Sequence, residues 1–208
     1  FRMCAMITPH WRYLGQPLLL FTVIATTTPG GATALATASG VQFGFRRSIP
    51  LIMGIAAGMA ILAAGAALGL AAVLQTLPVL ALLMKALGSA YLLWLAWIIG
   101  RAGAPGVGTG KDDGPIGFAA GMFLLILNPK GWAMTLGAAA FFSSMASSPA
   151  ALAMIMGTVF ALAATASLTL WCLGGALLNW VLRGEAQWRL VNIVLAALLA
   201  ASILPIWM

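Results

Sequence analysis

Acidic side chains are almost absent from this chain. Asp112, Asp113 and Glu185 are its three carboxylates in 208 residues, against ten Lys and Arg, and His10 is its one histidine. Charged residues are 6% of the total and hydrophobic ones 63%, whereas a soluble domain carries roughly a quarter charged residues. With a mean hydropathy of +1.08, this composition excludes a soluble globular fold and points to an all-α integral membrane protein. The shortage of acids and histidine also removes most enzyme chemistry. No acid or histidine lies within an apolar segment, so general acid–base, metal and redox mechanisms lack parts, and no enzyme activity, cofactor or metal site is expected.

Cysteine is nearly missing too. Cys4 and Cys172 are too far apart to suggest a disulfide framework or a metal-ligand spacing, and Cys172, inside an apolar run, reads as a buried free thiol. The pI near 10.5 comes from basic residues spread over spans and loops, with no dense patch able to follow a phosphate backbone, so no nucleic-acid partner is expected. The N-terminal stretch lacks a short apolar core followed by a small-residue cleavage site, so no removable signal peptide is expected.

What the chain does have is long apolar runs. A spanning helix needs about 20 predominantly apolar residues. Charges and turn residues cut the sequence into six such runs, at 17–40, 49–75, 78–100, 116–142, 150–180 and 190–207. Pro78, after Gln75 and Thr76, and Pro149 mark the tight turns. Arg46 and Arg47 lie in the first loop, Arg101 and Lys111 in the third, and Arg183 and Arg189 at the fifth, while the second and fourth are uncharged. The positive-inside rule makes the odd loops cytoplasmic and puts both termini outside. Residues 1–16, with Trp11 and Tyr13, read as an N-terminal interfacial segment. Residues 101–115 read as a Gly- and Pro-rich cytoplasmic linker. That linker is no phosphate loop, because Pro105 stands where the spacing needs glycine and no strand precedes it.

Sliding residues 116–208 over 17–100 brings Pro129 onto Pro29, Ile155-Met156-Gly157 onto Ile52-Met53-Gly54, and Trp188-Arg189 onto Met84-Lys85. Each part holds three spans, so the second copy must lie upside down. The expected architecture is six transmembrane helices as two inverted three-helix repeats, with helices 1 and 4 broken at Pro29 and Pro129. Inverted repeats are a transporter signature, with the substrate held where the copies meet.

Both prolines fall within apolar spans. Pro29 cannot donate to a carbonyl one turn back and is followed by Gly30 and Gly31; Pro129 acts likewise in Asn128-Pro129-Lys130-Gly131. Lys130 lies about fifteen residues into its span, or about 22 Å, where a lysine costs roughly 2.5–3.5 kcal/mol even on the lenient insertion scale. Its compensation must come from backbone carbonyls freed by the breaks or from an anionic ligand. The half-helices starting near Gly31 and Gly131 would favour a carboxylate, and the carbonyls ending the preceding ones, around 25–28 and 125–128, an ammonium. Such a pocket suits a zwitterion. Its expected substrate-binding residues are Thr28, Pro29, Gly30, Gly31, Thr33, Asn128, Pro129, Lys130, Gly131 and Trp132. Thr26, Thr27 and Thr135 are further candidates to orient the ligand, although a membrane threonine often bonds back to its own turn. Lys85 reads as a surface anchor. Glycines spaced by four, Gly40/Gly44, Gly54/Gly58, Gly65/Gly69 and Gly117/Gly121, should let helix backbones approach closely. Trp94, Trp97, Trp180, Trp188 and Trp207 read as interfacial belts.

The stretches "TPGGATALATASGVQFGFRRS", "LMKALGSAYLLWLAW" and "GMFLLILNPKGW" resemble the LysE/RhtB family of bacterial amino-acid exporters, over nearly all of 17–207. Its Asn-Pro-Lys is intact at Asn128-Pro129-Lys130, and its Lys-x-x-Gly-x-x-Tyr-Leu appears as Lys85, Gly88, Tyr91 and Leu92. The resemblance implies a six-helix inner-membrane secondary transporter that exports amino acids or related small zwitterionic or anionic metabolites, driven by protons. Its partners would be the small-molecule substrate and the lipid bilayer, with homo-oligomerisation left open. Two departures stand out. The family's Pro-Gly-Pro is Pro29-Gly30-Gly31 here, and the acids that many members carry in spans two and five are replaced around Met59 and Ala164. The alternatives are a passive small-solute channel or facilitator, and a non-transporting membrane scaffold.

Overall fold

Prolines and their N-terminal neighbours set where the helices start. Pro129 follows Asn128, whose side chain accepts from the Lys130 N–H at 3.0 Å. Pro149 follows Ser148, whose hydroxyl accepts from the Ala151 N–H at 3.2 Å. A proline at the first helical position gives up an N–H that would have had no partner there, while the preceding side chain caps the turn. The computed structural model describes residues 10–70, 78–101, 115–182, 184–201 and 203–204. Among them there is no strand. The helices are α1 (His10–Thr27), α2 (Gly31–Gly65), α3 (Pro78–Arg101), α4 (Phe118–Ile126), α5 (Pro129–Phe141), α6 (Pro149–Val181) and α7 (Glu185–Ala201), with a π-helical turn at Ala66–Leu70 and a 3₁₀ turn at Ser143–Met145. Residues 10–16 are part of α1, which also carries Pro17 inside it. Cys4, the turn at Gln75 and Thr76, Arg183, Trp207 and the linker residues Lys111, Asp112 and Asp113 lie outside the described residues, as do the side chains of Lys85 and Trp180.

The 35 residues assigned to α2 are two antiparallel arms rather than one rod. Gly44, inside it, has φ 74° and ψ 169°, a conformation essentially confined to glycine. The hydroxyls of Ser39 and Ser48 are 2.7 Å apart. Nine residues of straight helix would separate them by about 13.5 Å along the axis, so the chain folds back at Gly44. Arg46 and Arg47, just after the bend, are exposed, and the Ser48 hydroxyl also donates to the Gly44 carbonyl at 2.9 Å, which pins the turn.

Both arms are central to the bundle. The first packs on α6 and the second on both α4 and α6, while α1 packs on α6 and α3 pairs with α7. Two of these crossings share one reciprocal pattern. A methyl group at Gly40 would strike the Cys172 carbonyl, and one at Gly175 would strike that of Thr37. Equally, a methyl at Gly54 would strike the Phe118 carbonyl, and one at Gly121 that of Leu51. Each glycine therefore lets backbone touch backbone, the contact that associates helices where apolar burial supplies no driving force. Gly58 meets Met122 in the same way. Three of the other glycines expected to pack behave differently. Gly44 and Gly69, with φ of 74° and 101°, serve backbone conformation, and Gly117 is the residue preceding α4; none of the three has a neighbour at packing distance.

The core is small-residue and aliphatic, built around Leu51, Ile55, Met156, Phe160 and Leu199. Outward faces carry large apolar side chains instead of charge. Leu162, Leu170 and Leu177 form a stripe along α6, each about two-thirds exposed, an arrangement that requires a nonaqueous surround. Trp94 and Trp97 are exposed on α3, and the Arg101 guanidinium stacks 3.6 Å from the centre of the Trp97 ring. Trp188, expected in the interfacial belt, is only 4% exposed; it lies in the first turn of α7, buried among neighbours. Cys172 is a buried free thiol.

Candidate functional site

Between Thr27 and Gly31, and again between Ile126 and Pro129, helix gives way to a short non-helical link. Each link leaves backbone groups without intrahelical partners, and the structure shows where they go. At the end of α1 the Thr28 N–H still reaches the Ile24 carbonyl at 3.0 Å. Beyond it the carbonyls are met by side chains from distant elements. Ser167 Oγ of α6 donates to Thr26 O at 2.9 Å, and Trp171 Nε1 to Thr27 O at 3.2 Å. Lys130 Nζ donates to Thr28 O at 2.7 Å and to Pro29 O at 3.3 Å.

Of the two kinds of compensation open to Lys130, the structure uses backbone carbonyls. Its ammonium sits at the negative end of α1, where a cation is favoured by the helix dipole as well as by the hydrogen bonds. The stem passes Gly30 so closely that a methyl there would come within 3.2 Å of both Cδ and Nζ. Carbonyls expected to await a ligand's ammonium are therefore already bonded at Thr26, Thr27 and Thr28, and so are two in the second link: Asn128 N–H donates to Leu125 O at 2.9 Å and Trp132 Nε1 to Ile126 O at 2.7 Å.

On the other side of the first link, α2 opens with a local cap. Thr33 Oγ1 accepts the Gly30 N–H at 2.8 Å while donating to Gly30 O at 2.9 Å. The N–H groups of Gly31 and Ala32 then begin the helix with no residue in α2 placed to accept from them.

The two links border a half-open cavity of about 30 Å³, room for on the order of two water molecules. Seven of the ten expected residues line it: Thr28, Gly30, Gly31, Thr33, Asn128, Lys130 and Gly131. Pro29 contributes through its carbonyl, Pro129 is buried as the first residue of α5, and Trp132 turns away to cap α4. Of the additional threonines, Thr26 lines the cavity, whereas Thr27 is exposed and Thr135 is fully buried elsewhere. Their hydroxyls bond back one turn, Thr26 to Thr22 O at 2.8 Å and Thr135 to Gly131 O at 2.9 Å.

Sequence reasoning missed the apolar half of the wall, which Ile55, Met59, Leu125, Met134, Ala164 and Leu168 complete. Met59 and Ala164 are the positions where the family resemblance would place acids. That coincidence was the available signal for including them. Among the described residues, no Asp, Glu, His or Arg belongs to the lining.

Comparison with known proteins fits this geometry to a family. The model of the LysE type translocators matches residues 23–202. A cysteine/O-acetylserine efflux protein of Salmonella typhimurium is 32% identical over 193 residues, covering 88% of this chain and 94% of its own. One of the same name from Escherichia coli is 33% identical over 184 residues, covering 86% and 90%, and one from Shigella flexneri is 33% identical over 193 residues, covering 88% and 94%. No solved structure matches the chain. With the match running from the end of α1 through both helix links to α7, the chain belongs to the family of LysE type translocators.

Proposed function

We propose that this protein exports small neutral amino acids and their derivatives, cysteine and O-acetylserine among them, across the bacterial inner membrane as a secondary transporter. The observation that carries the reading is the pair of helix links meeting at one half-open cavity, with an ammonium on the carbonyls of one link and the first turn of α2 beside it. A zwitterion needs both poles, a carboxylate at the start of α2 and an amino group at the end of α1. The wall around them is short and apolar, with no acid to neutralise a basic side chain and little room for a large one. The names of the relatives supply the same substrate class.

In this reading the six membrane spans are α1 with the first arm of α2, the second arm with the π turn, α3, α4 with α5, α6, and α7. They form two inverted repeats, supported by Pro29 and Pro129 each lying beside a link at the shared cavity. Arg46, Arg47 and Arg101 face the cytoplasm and both termini the periplasm. A passive channel fits less well, because a cavity with room for about two water molecules, into which the Lys130 side chain reaches, is too small for a solute to pass.

The test is efflux from bacteria lacking their own exporters of this class, loaded with serine- or cysteine-containing dipeptides that are cleaved inside. Expression should lower the internal amino acid and raise it outside against a gradient. Equal internal levels with and without the protein, for every small neutral amino acid tried, would defeat the reading.

A further inference from the structure

Lys130 reaches into the site and sets its ammonium on the carbonyls of Thr28 and Pro29 at the end of α1, and this raises the question of what must happen to it when a substrate arrives. We propose that Lys130 carries the proton that drives export, its ammonium and the amino group of the substrate alternating on the carbonyls of Thr28 and Pro29. The proposal rests on the exporter reading above and concerns the same cavity.

Three observations bear on it. First, Nζ lies on both carbonyls, at 2.7 and 3.3 Å, so an arriving amino group that is to sit there has to take its place. Second, the substrate carboxylate has a place that does not involve Lys130, the start of α2, whose Gly31, Ala32 and Thr33 line the same cavity. Third, among the described residues the walls from α1, α2, α4, α5 and α6 present no Asp, Glu, His, Arg, Tyr or Cys. Once displaced, a charged Lys130 would share a small, acid-free space with a second ammonium. A lysine, unlike an arginine, can leave that conflict by losing its proton.

The cycle balances. On the cytoplasmic side the substrate ammonium takes the carbonyls, the Nζ–H bond of Lys130 breaks, and its proton passes to cytoplasmic water, leaving a neutral amine. On the periplasmic side the substrate departs with its own proton, the lone pair of the amine takes one from periplasmic water, and the ammonium closes on Thr28 O and Pro29 O again. One proton enters for each substrate exported. Met59 and Ala164 need carry nothing, which accounts for transport without acids in spans two and five.

The experiment is proton counting on the purified full-length protein in detergent. O-acetyl-L-serine is added near neutral pH in weak buffer with a pH-indicator dye, and binding is followed in parallel by calorimetry. The wild type is expected to release up to one proton per substrate bound, and its apparent affinity to weaken by as much as about tenfold for each unit of falling pH. Lys130→Arg keeps the cation but cannot shed its proton, so any binding it shows should come without release. Binding by the wild type with no proton release and no pH dependence overturns the proposal, as does release from Lys130→Arg equal to wild type. A wild type that binds none of the small neutral amino acids overturns instead the exporter reading beneath it.

Discussion

Replacing Lys130 by alanine separates what the side chain does for the fold from what it does for transport. Truncation removes a charge-assisted hydrogen bond to Thr28 O at 2.7 Å, worth about 1.5–3 kcal/mol. It also removes a cation at the end of α1, worth about 0.3–1 kcal/mol. The contact to Pro29 O is longer, at 3.3 Å, and adds little. Against these losses stands relief from holding a lysine within an apolar span, about 2.5–3.5 kcal/mol. The terms nearly cancel, so Lys130→Ala should insert, purify as wild type and melt within a few degrees of it. Transport should respond quite differently, since nothing then occupies the end of α1 between substrates and nothing titrates in the cavity. Export against a gradient from dipeptide-loaded cells should fall at least tenfold. Two measurements on one preparation decide the matter: thermal melting in detergent and initial efflux rate at matched expression. Efflux within twofold of wild type would refute the reasoning, and collapse of the fold would show that the carbonyl contacts outweigh the burial cost.

Gly40→Ala should destabilise strongly, by about 1–3 kcal/mol or more, because its methyl meets the Cys172 backbone, which no rotamer change can move; a melting temperature equal to wild type would contradict that crossing. Gly137→Ala is the control, exposed on α5 with nothing near its would-be methyl, and should be neutral or stabilise by up to about 1 kcal/mol. Gly44→Ala forces an alanine into glycine-only backbone space and should cost about 1–3 kcal/mol, read out by melting and by faster proteolysis beside Arg46 and Arg47. Asn128→Ala deletes the cap on the Lys130 N–H at a cost of about 1 kcal/mol; because that cap also fixes where the lysine stem leaves α5, efflux should drop more than stability predicts, and Asn128→Asp, which keeps the cap, should restore part of it.

Much of the architecture is decided locally, and locally decided features are legible in a sequence. Apolar runs with hardly a carboxylate dictate helices in a lipid surround, since only internally bonded backbone survives there. Helix starts at Pro129 and Pro149 follow from an Asn or Ser immediately before a proline. The need to compensate Lys130 follows from its depth alone. Choosing between the two compensations did not: carbonyls 102 and 101 residues away become neighbours only once α5 lies beside the end of α1. The same holds for Ser167 and Trp171, whose hydrogen bonds to Thr26 and Thr27 no spacing announces, and for Trp132, which looks like a pocket residue by adjacency but turns back to close α4. Gly40 and Gly44 are alike as letters spaced by four, yet one permits a helix contact and the other a reversal of the chain. Which glycine does which, and which small side chains wall the cavity, depends on the path of the partner helix, information carried by residues more than a hundred positions away and expressed only in the packed structure.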